Sequence, residues 1–245
     1  MRYLIWDFDD TLGYREGKWS GALVDAARVA APDLALTLET VQPHLGQGFP
    51  WHNHHLPHNH ITTGEMWWRE LMLPILEHAL AGVGFGTDDA RRVALQAREE
   101  FTRVERWTLF PETLSVLERF SAQGWEQMIL SNHVPELPRI VEGVGLSPHI
   151  SRCFNSAEIG YEKPHRAAFE HLLSHIPAGS TVRMIGDSMV ADVLGAEAAG
   201  IPAILVRKPH PDAQRYAPDL AGLFKILEAM ESGEVPPFIE PAPPA

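Results

Sequence analysis

Four short stretches of this 245-residue chain carry side chains that could do chemistry together. Asp7, Asp9 and Thr11 lie near the N-terminus, Ser131 and Asn132 follow an apolar run, Lys163 precedes Pro164, and Gly186-Asp187-Ser188 is followed by Asp192. Carboxylates such as Asp7 and Asp187 can offer oxygens to magnesium, a hard cation that takes one or two carboxylates, waters and an anionic ligand. Lys163 would add a second positive charge. Together these charges lower the cost of bringing a carboxylate nucleophile against an anionic group that otherwise repels it. Taken one at a time, the same residues read as solvated turn formers, a loop hydroxyl and a surface charge.

The elements around them decide between these readings. Arg2 to Trp6 is an apolar run bounded by a polar turn, the pattern of a central parallel strand. From about Gly13 to Glu105 the periodicity is helical and no strand is predicted. There Ser20 is placed to cap a helix through Val29 that Pro32 stops, and Thr62 with Glu65 has capping-box spacing. The capping box precedes Met66 to Leu80, a run that Pro74 should kink or split, and Asp88 opens a further helix with Val93, Ala97, Phe101 and Val104 on one face.

After Pro111 helix and strand alternate, the mark of a parallel sheet wrapped by helices. Helices are predicted over Glu112 to Ala122, Pro135 to Val144, Pro164 to Ile176 and Val190 to Ala199. Strands are predicted over Gln127 to Leu130, Ile150 to Asn155, Val182 to Ile185 and Ala203 to Val206. In an open parallel sheet, ligands bind outside the carboxyl ends of the strands, so the polar residues after each strand should converge there.

Taken in order, Asp7-Phe8-Asp9-Asp10-Thr11, Ser131, Lys163-Pro164 and Gly186-Asp187-Ser188 with Asp192 resemble the four motifs of the haloacid dehalogenase-like superfamily. The resemblance implies an α/β fold: a three-layer, Rossmann-like parallel-sheet core, residues 1–14 and 106–232, with an inserted α-helical cap domain, residues 15–105. It also implies a magnesium-dependent phosphohydrolase acting on a small phosphorylated metabolite. Asp7 would attack phosphorus to form an aspartyl-phosphate. Asp9 would protonate the leaving oxygen and later deprotonate the attacking water, and its backbone carbonyl would join the Mg2+ shell with Asp7, Asp187 and Asp192. Lys163 would be catalytic and would also hold substrate, Ser131 and the backbone at Asn132 would hold phosphoryl oxygens, and Thr11 would steady the turn and count among the substrate-binding residues. Ser188 stands where some members carry a second adjacent aspartate, so Asp192 must be the second acid of that motif. Asp10 occupies a position where the family often has glycine; aspartate tolerates unusual backbone angles better than most residues.

Other readings stay open at this point. A phosphomutase would share the phosphoenzyme step and differ in whether its cap excludes water. A noncatalytic phosphate-ligand binding protein would need no nucleophile, acid and lysine together. A dehalogenase has no use for a second acid at Asp9 or for magnesium.

Several cap residues invite functional readings as well. His52, His54, His55, His58 and His60 crowd one stretch, but zinc needs fixed tetrahedral ligands, and neither cysteine nor regular spacing occurs there. A solvated or cap-packing loop is the expectation, with substrate contact as its functional alternative. Trp67, Trp68 and Arg69 read as cap core before pocket wall, and His133 reads equally as a substrate contact or a loop histidine.

Composition sets the outer bounds. Twenty Lys+Arg against 32 Asp+Glu gives a net charge of -12, which repels phosphate backbones and argues against a nucleic-acid partner. No stretch approaches a membrane span, and the lone Cys153, placed in a strand, fits a reducing cytoplasm. Residues 233–245 hold five prolines and are expected to form a mobile tail; the oligomeric state is not readable.

Overall fold

A computed structural model of the chain describes residues 1–234. The proline-rich end from residue 235 onward, where most of the expected tail falls, lies outside the described residues. Six parallel strands form one sheet in the order β5-β4-β1-β6-β7-β8: β1 (Arg2–Trp6), β4 (Trp125–Ser131), β5 (Arg152–Asn155), β6 (Thr181–Gly186), β7 (Ala203–Val206) and β8 (Tyr216–Ala217). The expected α/β class is therefore observed, with the helical insertion between β1 and β4.

The central place of β1 follows from its residues: Leu4, Ile5 and Trp6 are all fully buried, as both faces of the strand are covered. Side chains alternate across the sheet. Tyr3 and Ile5 join one apolar cluster with Met128, Met184 and Phe169. Leu4 and Trp6 join the other, which runs on without a break into the insertion through Trp19, Trp68 and Phe101. The insertion and the sheet thus share one continuous core.

Inside the insertion, the helix Lys18–Ala30 packs on the helix Thr87–Thr102, and Trp19 stacks on Phe101 with ring centroids 3.7 Å apart. Two expected helix caps need correction. Ser20 lies inside its helix, whose N-cap is Gly17 at φ 68. Thr63 rather than Thr62 caps the next helical run by accepting from the Met66 amide, while Glu65 ion-pairs with Arg98. Pro74 does divide that run: a wide π-type turn over Trp68–Met72 separates Gly64–Trp67 from Leu73–Gly82, which absorbs the backbone donor proline lacks. A strand also occurs where none was predicted. β2 (Gly13–Arg15) pairs antiparallel with β3 (Trp107–Leu109) at the foot of the insertion, each too short to show a period of two.

Candidate active site

The sheet register builds the site. Trp6 stands opposite both Ile129 and Ile185, so Asp7 leaves the sheet level with Leu130 and Gly186, and Ser131 and Asp187 emerge one residue further on. The Asp7 amide is pinned to the Ile185 carbonyl at 2.9 Å. Beyond it the chain turns tightly, with the amides of Thr11, Leu12 and Gly13 all donating to the Phe8 carbonyl. Asp10 takes up the left-handed conformation that this turn requires, at φ 55, which a short polar side chain tolerates.

Asp7, Asp187 and Asp192 converge, each offering a carboxylate oxygen within 4.8 Å of the others, and all three are buried. Lys163, 2% exposed, bridges two of them: its Nζ lies 2.9 Å from Asp7 Oδ1 and 2.5 Å from Asp192 Oδ1. Burial opposes the charge on Lys163, yet Asp192 and Asp7 hold its pKa above the usual lysine value. Burial pushes Asp192 up to about 7 against the pull of Lys163, and burial with the nearby Asp7 raises Asp187. Three carboxylates and one ammonium leave an excess of negative charge, which is the donor set a hard divalent cation fits. Gly186 makes this arrangement possible, because a Cβ there would lie 2.2 Å from the Asp192 carboxylate.

The flanking residues are placed as follows. Asp9, a third exposed, has its pKa raised well above the usual carboxylate value, first by burial and then by Asp7. His133 faces it, with Nε2 3.8 Å from Asp9 Oδ2; that nitrogen is buried without a hydrogen-bond partner among the described residues, while Nδ1 lies 3.4 Å from the Val134 carbonyl oxygen. Burial pushes the His133 imidazole down to about 4, so it is neutral at physiological pH. The Ser131 hydroxyl is buried and likewise has no partner among the described residues. The Asn132 side chain is spent on the lysine loop: its Oδ1 accepts from the Lys163 amide at 2.7 Å and its Nδ2 donates to the Lys163 carbonyl at 2.8 Å. Asp7, Asp9, Ser131, Asn132, His133 and Lys163 all line one cavity of about 1250 Å³ between the sheet and the helical insertion. Thr11 is not in its wall; its hydroxyl is buried behind the turn without a partner among the described residues, and its carbonyl accepts from Arg207.

The five clustered histidines of the insertion separate into three groups. His52 and His54 line the cavity, whereas His55 and His60 are exposed. His58 is buried against Glu162, Nε2 to Oε1 3.1 Å, and so docks its loop on the segment that leads into Lys163. Trp67 and Trp68 are fully buried in the cap core, and Arg69 pairs with Glu70 on the outside.

Lys208 is a site residue that the motifs did not reveal. Its ammonium sits 2.5 Å from Asp187 Oδ2 and 2.8 Å from Asp10 Oδ2, and Lys18 pairs with the same Asp10 oxygen. Burial raises the Asp10 pKa, but hydrogen bonds from Lys18 and Lys208 outweigh it and bring the carboxyl below its usual value. The signal was available, since Lys208 lies just beyond β7 and polar residues following a strand gather at this edge.

Comparison with known proteins places this geometry in a family. The chain is 28% identical to haloacid dehalogenase-like hydrolase domain-containing protein 3 of Bos taurus, over 94% of this chain and 95% of that protein. It is 33% identical over 150 residues to a phosphoserine phosphatase of Thermus thermophilus, covering 60% of this chain and 59% of that one. Among solved structures, the HAD-hydrolase YfnB from Bacillus subtilis, described as bound to magnesium, superposes with a TM-score of 0.72 at 22% identity, covering 93% of this chain and 98% of that one. A 2-haloacid dehalogenase from Pseudomonas syringae superposes with a TM-score of 0.64 at 23% identity, covering 94% and 100%. At these identities the superpositions show the shared fold. The family model described as haloacid dehalogenase-like hydrolase matches residues 1–200, and with most of its length so matched, this chain belongs to the haloacid dehalogenase-like hydrolases.

Proposed function

We propose that the protein is a magnesium-dependent phosphohydrolase that cleaves a small phosphorylated metabolite through an aspartyl-phosphate on Asp7. The observation that carries this reading is Lys163, buried between Asp7 and Asp192 with Asp187 at ligand distance. That grouping draws positive charge to one carboxylate at the foot of a cavity. In this reading residues 1–14 and 106–232 form the catalytic core and residues 15–105 the cap that covers it.

Magnesium held by Asp7, Asp187, Asp192 and the Asp9 carbonyl would screen the phosphoryl oxygens and fix their orientation. An Asp7 carboxylate oxygen attacks phosphorus as the ester P–O bond breaks, and the Asp9 carboxyl in its acid form, which burial and the nearby Asp7 favour, gives its proton to the leaving oxygen. Asp9, now a carboxylate, takes a proton from water; the water oxygen bonds to phosphorus and the Asp7–phosphorus bond breaks, releasing phosphate and restoring both side chains. The unpartnered Ser131 hydroxyl and the Asn132 backbone amide supply donors to the phosphoryl oxygens, and Thr11 steadies the turn.

A relative named as a phosphoserine phosphatase supports attack on phosphorus, and so does Asp9, a second acid that attack on a carbon–halogen bond does not need. The test is turnover of a generic aryl phosphate by the purified protein. Hydrolysis is expected with Mg2+ and should vanish on chelation or in Asp7→Asn; activity surviving Asp7→Asn contradicts the nucleophile. Isomerisation of a sugar phosphate without net hydrolysis would establish a mutase instead.

A further inference from the structure

Two exposed ion pairs at the edge of the acidic cluster point to a control on metal loading. Resting on the magnesium reading above, we propose that Lys208 is a tethered cation that competes with Mg2+ for Asp187 and thereby sets the metal affinity of the site. Its ammonium reaches Asp187 Oδ2 at 2.5 Å, and Asp187 is one of the three carboxylates able to share a cation. An ammonium at that distance occupies Oδ2 and repels a divalent ion arriving at either oxygen of the same carboxylate. Metal binding therefore works against Lys208, whether it displaces the ammonium or takes the other oxygen beside it.

The surroundings are arranged to present Lys208 there. Its neighbour Arg207 stands at φ 65 and is anchored at both ends of its guanidinium, donating to the Thr11 carbonyl at 3.0 and 2.8 Å and pairing with Glu112 at 3.0 Å. The backbone that carries Lys208 is thus fixed to the catalytic turn itself. Asp10 supplies a second acceptor at 2.8 Å, so the ammonium sits between two carboxylates. The Lys208 side chain is nonetheless 60% exposed. It can swing into solvent without opening the core, and Asp10 retains Lys18 as a partner when it does. Lys163 differs in this respect: its side chain is only 2% exposed and lies between Asp7 and Asp192.

Calorimetric titration of the metal-free protein with MgCl2, without substrate, tests the proposal. An ion pair of this exposure is worth on the order of 1 kcal/mol or less, so Lys208→Met should bind Mg2+ about three- to fivefold more tightly than the natural protein. Lys18→Met removes the same charge from the other side of Asp10 without touching Asp187, and should stay within about twofold of the natural protein. An unchanged or weaker affinity in Lys208→Met overturns the proposal. Equal tightening in both variants overturns it as well, because general charge and not occupancy of Asp187 would then be responsible. Absence of Mg2+ binding in all three proteins overturns both the competition and the metal assignment, whereas hydrolysis of an aryl phosphate is judged separately.

Discussion

Replacing Lys163 with methionine isolates the electrostatic core of the site. The substitution keeps the length and the apolar stem but removes an ammonium that is 2% exposed and lies 2.9 and 2.5 Å from two carboxylates. Breaking a buried pair by deleting one partner costs about 3–5 kcal/mol, because a charge remains buried without compensation. For a chain of this size each kcal/mol moves the melting temperature by roughly 2–4 °C, so metal-free Lys163→Met should melt roughly 6–20 °C lower.

The pH dependence has a definite sign. Lys163 is held above its ordinary pKa, so its contribution is complete at neutral pH and is lost only as pH climbs through the lysine range. Asp192 already sits near 7, raised by burial against the pull of Lys163. Without that cation it takes up a proton more readily, and the penalty in Lys163→Met should shrink as pH falls from 8 to 5. Adding Asp192→Asn should recover part of the loss, since the two residues interact directly. Urea denaturation of the single and double variants at both pH values measures all of this. A penalty below about 1 kcal/mol at pH 8, the scale of an exposed pair, would refute the buried-bridge argument, as would a penalty identical at pH 5.

Gly186→Ala places a Cβ 2.2 Å from the Asp192 carboxylate and should destabilise the protein by about 1–3 kcal/mol, read by denaturant midpoint, while weakening Mg2+ binding by calorimetry. Asp187 and Asp192 both have folded pKa values above the ordinary carboxylate value, Asp192 at about 7, so the metal-free fold loses stability as pH rises through the range between them. Mg2+ needs those carboxylates ionised; a concentration about 100 times its dissociation constant at pH 8 adds about 2.7 kcal/mol there, and the same concentration should raise the melting temperature less at pH 6.

The parts of the site that could be read from the sequence were those fixed by local pattern. The buried run Leu4 to Trp6 announces a central strand, and strand-end polarity then gathers Asp7, Ser131 and Asp187 at one sheet edge, where the register places them. Lys163 precedes a helix and follows no strand, and its ion pairs at the site span 156 and 29 residues, yet its motif marked it. Helix starts were harder to read, because Gly17 and Thr63 serve as caps beside the better-looking Ser20 and Thr62. The three-residue strands Gly13–Arg15 and Trp107–Leu109 are too short for any periodicity to declare them. The His58–Glu162 contact joins residues 104 apart, and nothing local in either stretch encodes it. Lys208 shows a different kind of miss, since the strand-end rule applied to Ala203–Val206 reaches its neighbourhood.

Acid quenching of the enzyme during turnover of an aryl phosphate, followed by peptide mass spectrometry, tests phosphoryl transfer to Asp7 most directly. A phosphoryl adduct on the Asp7 peptide is predicted in the natural protein and in Asp9→Asn, where water activation is lost and the adduct should accumulate, and none in Asp7→Asn. Turnover with no adduct in either protein, or an adduct that persists in Asp7→Asn, would contradict the account.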